Sequence, residues 1–338
     1  MRRASVRSPN SHGCSVLPPQ SSWWSSGSIC CSSRRACPST MNRMNLSGIY
    51  APIPTPFDDR DEVDIARLRA ALARWITRPL TGFVVLGSNG EAGLIDEIEF
   101  DRVIVAAREA IPAGRTLITG TGRESTRAAV RAARRAAEHG ADAVLVRTPA
   151  FFKTQMTGDA FVRHYTAVAD ASPVPVLLYN FTALTGVDLL PATVAQLAAH
   201  PNIAGMKESG GDAARINDLV SGTPERFQVL AGTASTFYSA LCVGATGGIL
   251  ALACVLPEAC LRVFELFRAG RHAEALAVQR QILPLARLLG TYGVPGLKAA
   301  LNLAGYDLGV PRPPLAPAPD AAVARLRETL TLFEATPA

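Results

Sequence analysis

Only three of the 34 cationic side chains in this sequence are lysines: Lys153, Lys207 and Lys298. The rest are arginines. A guanidinium stays protonated in proteins, whereas a desolvated ammonium can lose its proton and attack a carbonyl carbon. Lys207 directly follows the apolar run Ile203-Ala204-Gly205-Met206, at the expected end of a buried strand. Other apolar runs finish in Ser88-Asn89-Gly90-Glu91, in Thr148-Pro149 and in Tyr179-Asn180. An amine, a phenol and a hydroxyl beside a glycine-containing turn form a set suited to carbonyl chemistry. The amine forms a Schiff base with a keto group and the phenol moves protons to and from the carbinolamine. The N–H groups of the turn hold a carboxylate. Each group also has a plainer reading on its own. A strand-end lysine is more often an ion-pair partner, and a lone tyrosine is more often a core residue. Lys153 reads as a solvated charge in a polar loop, and Lys298 as a structural or rim residue on a helix. Glu208 is an evident partner for Lys207, but adjacent strand residues point to opposite faces.

The elements that must carry these groups repeat along the chain. Eight short apolar runs start at residues 48, 82, 116, 143, 174, 203, 227 and 247, and a helical stretch follows each of the first seven. "DIARLRAALARWI" and "STRAAVRAARRAAEHG" have apolar spacing near 3.6, with Gly140 where a helix cap is expected. Continuous apolar strands alternating with amphipathic helices imply a parallel sheet covered by helices. Eight of them predict an α/β fold, a closed (β/α)8 TIM barrel over 45–255. Reactive groups then belong at the C-terminal ends of the strands. Beyond residue 255 the strand signals stop, and 256–338 read as C-terminal helices with an extended Pro-rich connector, "VPRPPLAPAP", at 310–319. No GxGxxG follows the first run and no GxxxxGK[ST] occurs anywhere, which weakens nucleotide-binding alternatives.

The net charge of +6 is local. Residues 1–57 contain six arginines and no acid, so the remainder carries 28 charges of each sign. A basic balance confined to the tail gives no support for nucleic-acid binding. Residues 1–44, rich in Ser and Arg, read as a disordered tail excluded from the fold. That tail resembles a transit peptide, which would send the protein to mitochondria, or else translation starts at Met41 or Met44. The second reading is preferred and makes the protein cytoplasmic. No apolar run reaches the roughly 18–20 residues that span a bilayer. Cys242, Cys254 and Cys260 have apolar neighbours and read as buried thiols. The five histidines are scattered without ligand spacing, so no metal is expected.

"GSNGE", "YNFTALTG", "GMKESGG" and "GGILAL", with "TP" ending the first and fourth strands, resemble the pyruvate-dependent class I aldolase family. That family contains dihydrodipicolinate synthase and N-acetylneuraminate lyase. Within it, "GSNGE", "HPNIAGMKESGGD" and "FQVLAGTAS" are most similar to the 4-hydroxy-2-oxoglutarate aldolase branch. The resemblance covers residues 46–335. It implies Lys207 as the Schiff-base lysine, Tyr179 as the proton donor and acceptor, and Ser88 as the hydroxyl beside that phenol. Ser88 and Asn89 would bind the pyruvyl carboxylate, Ile249 would line the pyruvate pocket, and Ser209 would join the substrate contacts. It further implies a small keto acid as partner, no cofactor, and a homo-oligomer, tetramer or dimer. Two departures stand out. Leu184 occupies the place of a carboxylate-binding arginine of the dihydrodipicolinate synthases, which argues against that reaction. Phe151 and Phe152 replace a tyrosine pair, one of which completes a proton relay in a neighbouring site. The expected activity is a lyase cleaving a 4-hydroxy-2-oxo acid to pyruvate and an aldehyde or glyoxylate. The alternatives are a synthase-like condensing enzyme, a keto-acid dehydratase, and a keto-acid-binding protein without turnover.

Overall fold

The computed structural model describes residues 44–335. All of the tail expected at 1–44 except Met44 lies outside the described residues. Eight strands alternate with helices: β1 (Gly48–Pro52), α1 (Ile65–Trp75), β2 (Gly82–Val85), α2 (Glu97–Ala110), β3 (Thr116–Gly120), α3 (Thr126–Glu138) and β4 (Ala143–Arg147). The chain continues through α4 (Gly158–Ala171), β5 (Val176–Asn180), the short α5 (Thr182–Thr185), α6 (Pro191–Ala198), β6 (Ile203–Glu208) and α7 (Ala213–Ser221). β7 (Gln228–Ala231), α8 (Phe237–Cys242) and β8 (Gly247–Ile249) complete the barrel, and α9 (Pro257–Arg268), α10 (His272–Leu303) and α11 (Asp320–Ala335) follow. All strand pairs are parallel, and β8 pairs with β1 to close the barrel.

The helices start where short polar side chains accept the first free backbone N–H groups. Asp64, Ser125, Thr157 and Asp212 do so for α1, α3, α4 and α7. Asp96 and Glu99 form a reciprocal capping box at α2. Gly140 follows α3 with φ +88°, a conformation that costs glycine little. The buried residues of α3 are all alanines (Ala129, Ala132, Ala133 and Ala136).

Strand alternation divides the core in two. Residues such as Phe83, Val85, Val144 and Val146 face the helices. Tyr50, Val84, Ile118, Leu145, Leu177, Tyr179, Leu230 and Ile249 fill the barrel, and Leu46 and Met44 pack against the same cluster. The strands are shorter than the apolar runs. In the eighth, pairing stops at Ile249 and Ala251–Cys254 form a turn of 3₁₀ helix. The residues left over at the strand ends become loops that carry polar groups. Cys254 and Cys260 are buried as expected, but Cys242, at the last position of α8, is exposed.

Of the C-terminal helices, α10 reaches the barrel mouth, where Gly290, Gly293, Val294 and Pro295 line the cavity. α10 breaks at Gly293 (φ 56°, ψ −140°), two residues before Pro295. Beyond it, Lys298 and the connector residue Arg312 reach back to the turn after β2. Lys298 Nζ meets Glu91 Oε1 at 2.7 Å, and the Arg312 backbone N–H donates to Glu91 Oε2 at 2.9 Å. Arg312 also pairs with Glu99 on α2.

Candidate active site

β4, β5 and β6 put three polar side chains side by side at the barrel mouth. Arg147 is in register with Tyr179, and Tyr179 with Lys207. Leu145 and Tyr179 belong to the interior cluster, and residues two apart share a face, so Arg147, Tyr179 and Lys207 all point inward. Neighbouring strands lie about 4.8 Å apart, and the three groups therefore form one layer.

Lys207 is 6% exposed, and its Nζ lies 4.5 Å from the centroid of the Tyr179 ring. It forms no ion pair among the described residues. Glu208 points the other way. Its buried carboxylate takes Arg215 Nε at 2.9 Å and Asn180 Nδ2 at 3.0 Å. Asn180 and Arg215 also hold Asp188. This outer network ties the ends of β5 and β6 together, which fixes the spacing of Tyr179 and Lys207 on the inner side.

Ser88 Oγ and Tyr179 Oη are 3.0 Å apart, joining the turn after β2 to the phenol. Thr55, from the first "TP", steadies that turn by donating to the Gly90 carbonyl at 2.7 Å. Ser209 Oγ is buried without a hydrogen-bond partner, a hydroxyl available to a ligand. It lies next to Lys207 only because residue 232 is glycine. A Cβ there would stand 2.0 Å from Ser209 Oγ and 3.0 Å from Lys207 Cε. Thr148 Oγ1, from the second "TP", is also buried and unpartnered.

A cavity of about 590 Å³ opens above this layer, within the usual range of roughly 300–1,000 Å³ for small-molecule sites. Ser88, Asn89, Arg147, Tyr179 and Leu184 line it, and Gly293 and Pro295 supply the roof. Lys207 sits beside Tyr179 just below the walls. Ile249 is wholly buried in the interior cluster with Tyr179 and is not a wall residue. The structure thus joins Lys207 to Tyr179, Tyr179 to Ser88 and Ser209 to Lys207, while Ile249 stays in the packing beneath.

Phe151 and Phe152 are 78% and 66% exposed and stack edge to face on each other, 5.0 Å between centroids. Neither lines the main cavity of its own chain. Cys254 is packing: burial pushes its thiol far above the usual range, and it donates to the Pro52 carbonyl.

Arg147 was not among the residues expected at the site. Its signal was present in "AVLVRTP", where it shares the parity of Leu145 at a strand end. The Lys298–Glu91 pair was also missed, because nothing local links residues that far apart.

Residues 45–332 match the Dihydrodipicolinate synthetase family. A 4-hydroxy-tetrahydrodipicolinate synthase from Exiguobacterium sp. is 34% identical, over 85% of this chain and 98% of its own. A probable mitochondrial 4-hydroxy-2-oxoglutarate aldolase from Emericella nidulans is 36% identical, over 84% of this chain and 94% of its own. Among solved structures, a prophage protein of the dihydrodipicolinic acid synthase family from E. coli K12, in complex with pyruvate, superposes with a TM-score of 0.81. It is 27% identical and the match covers 86% of this chain and 99% of that one. The chain belongs to the dihydrodipicolinate synthetase family, whose members are Schiff-base-forming carbon–carbon lyases.

Proposed function

We propose that this enzyme cleaves a 4-hydroxy-2-oxo acid, 4-hydroxy-2-oxoglutarate foremost, into pyruvate and an aldehyde, here glyoxylate. The observation that carries the reading is Lys207, buried against Tyr179 without a carboxylate partner, while Tyr179 shares a hydrogen bond with Ser88. The Lys207 amine adds to the C2 carbonyl, and the carbinolamine loses water to give an imine. Tyr179 shuttles the protons of that step. Loss of the 4-hydroxyl proton then breaks the C3–C4 bond. The aldehyde departs, and the bonding electron pair moves into an enamine on Lys207. Protonation at C3 and hydrolysis release pyruvate and restore the amine. Ser88 and Asn89 hold the C1 carboxylate in this reading, Ser209 contributes its free hydroxyl, and Ile249 supports the floor beneath Tyr179. The iminium serves as electron sink, so the reaction needs neither metal nor cofactor.

The curated relatives carry both the synthase and the aldolase names, so the choice rests on the residues. Leu184 stands on the cavity wall, where the resemblance gives the synthases an arginine. The condensing reaction is the second reading. The exposed Phe151, Phe152, Leu184 and Leu190 favour a homo-oligomer in which a second copy covers them. No helix among the described residues is long and apolar enough to cross a membrane. We assign the enzyme to the cytoplasm, with mitochondria as the alternative if residues 1–44 act as a transit peptide. Turnover of a panel of 4-hydroxy-2-oxo acids, coupled to pyruvate detection, tests the activity. Pyruvate released from 4-hydroxy-2-oxoglutarate supports the cleavage. Condensation of pyruvate with aspartate semialdehyde in its place overturns it.

A further inference from the structure

The cavity wall contains one cation, Arg147, to which neither the sequence motifs nor the relatives' names give a role. Its geometry is that of a built position. It occupies the same inward layer as Tyr179 and Lys207, one strand away from the phenol. Room for it is made by Gly122, where a Cβ would stand 2.4 Å from Arg147 Cγ. Its guanidinium is steadied from one side only: Nη2 meets Glu124 Oε1 at 2.7 Å, and Nη1 donates to the Thr148 carbonyl at 3.0 Å. Glu124 is itself held in place, since Oε2 accepts the backbone N–H groups of Ala150 and Phe151 at 2.8 and 2.9 Å. A guanidinium has five N–H donors, and these two bonds leave donors for a ligand.

The charge balance around Arg147 favours an anion. An outer recess continues from the cavity past Arg147 and Leu184 and is lined by Glu124 and Lys153 as well. Two cations thus share one carboxylate there. His164 packs behind, and burial, with the nearby Arg147 charge, pushes its pKa down to about 4. It is neutral near pH 7 and adds no charge of its own.

We propose that Arg147 binds the carboxylate at the aldehyde end of the substrate, making the site selective for a dicarboxylic 4-hydroxy-2-oxo acid. This rests on the aldolase reading above. With the C1 carboxylate at Ser88 and Asn89 and C2 bonded to Lys207, the distal carboxylate must lie across the cavity from that turn. Arg147 is the cation available on the wall, whereas Leu184 offers none. After C3–C4 cleavage the same fork holds the departing 2-oxo acid by its carboxylate.

The test is the ratio of kcat/KM for 4-hydroxy-2-oxoglutarate to that for 4-hydroxy-2-oxopentanoate, which has a methyl group in place of the distal carboxylate. Losing a charge-assisted contact lowers binding by roughly 10–100-fold. Arg147→Met is expected to lower the ratio by about that factor and to leave borohydride trapping of pyruvate on Lys207 unchanged. Arg147→Lys, which keeps the charge without the fork, is expected to fall between. Glu124→Gln separates recognition from support. It removes the anion beside Arg147, so the ratio is expected to hold or rise; a fall matching that of Arg147→Met assigns Arg147 to loop support and overturns the proposal. An active enzyme whose ratio is the same in wild type and both Arg147 variants also overturns it. If wild type cleaves neither acid, the aldolase reading fails and the proposal falls with it.

Discussion

Two lysines of this protein look alike by most measures, and the work proposed for them differs. Lys207 and Lys298 are 6% and 1% exposed, and each holds its Nζ over an aromatic ring, Tyr179 at 4.5 Å and Phe57 at 4.3 Å. They differ in their other neighbours. Lys298 is bonded to the Glu91 carboxylate and to the Val310 carbonyl at 2.9 Å, so its charge is matched and its position fixed. Burial still pulls its pKa below the ordinary lysine value, against the opposing pull of Glu91. Lys207 has the outward-facing Glu208 next to it in sequence, but Arg215 takes that carboxylate. Burial and ring contact therefore do not mark a nucleophile. The absence of a carboxylate, beside a phenol and an open cavity, is what favours Lys207 for the proposed role.

The largest test of this contrast is Lys207→Arg. Arginine keeps the charge and cannot form an imine, so both turnover and the mass increment left by pyruvate and borohydride are expected to vanish. Lys298→Arg, judged at a temperature where it stays folded, is expected to retain labelling at Lys207. Labelling that survives Lys207→Arg would move the nucleophile elsewhere.

Tyr179→Phe comes next. Removing a general acid–base group typically costs about 10²–10⁴-fold in rate. The expected outcome is a fall of that size in kcat, with pyruvate trapping slowed but complete on long incubation. A kcat within a few-fold of wild type, with trapping at the wild-type rate, would make the phenol a packing residue.

Lys298→Met tests the other half. It leaves Glu91 buried without its cation, and breaking a buried pair in this way costs about 3–5 kcal/mol. Urea denaturation is expected to show that loss, and Glu91→Gln in the same chain is expected to recover much of it. If the single variant unfolds at the wild-type midpoint, the pair is not structural.

The smallest effect is expected at the outer clasp. The Arg312 guanidinium holds the Glu99 carboxyl below the usual range. That contribution to stability is present above the unfolded value of about 4.5 and is lost as pH falls below it, because the unfolded chain then binds the proton more readily. Arg312→Met is expected to be less stable at neutral pH and to converge with wild type on acidification. Parallel curves down to pH 3 would show that Glu99 and Arg312 are not linked in this way.

The legible parts of the fold and site were those written in short stretches of chain. Strand-end residues such as Lys207, Tyr179 and Ser88 announce themselves by following apolar runs, and parity along β6 separated Lys207 from Glu208. Gly140 marked a helix end for the same reason: caps act within a turn. Arg147 escaped because an arginine at a strand end reads like any surface charge until its register with Tyr179 is known. Glu91 and Lys298 are far apart along the chain, and no local pattern states that they meet. The aromatic pair after β4 stands where the resemblance puts a relay tyrosine, and Phe151 and Phe152 are exposed to solvent in the single chain. In the proposed homo-oligomer their role depends on a neighbouring copy, and one sequence does not state where such a copy binds.

The clasp on Glu91 also sets an order of events during synthesis. The turn carrying Ser88 and Asn89 leaves the ribosome early, but Arg312, which bonds Glu91, follows 221 residues later. At about 5–20 residues per second, that is a wait of roughly 10–45 s. In the later part of that interval a nascent chain already holds Lys207 and Tyr179 but lacks the last piece that braces the turn proposed to bind the carboxylate. A protease that clips the chain after α9 would recreate the same unfinished state, the proposed nucleophile in place and the turn beside it unbraced.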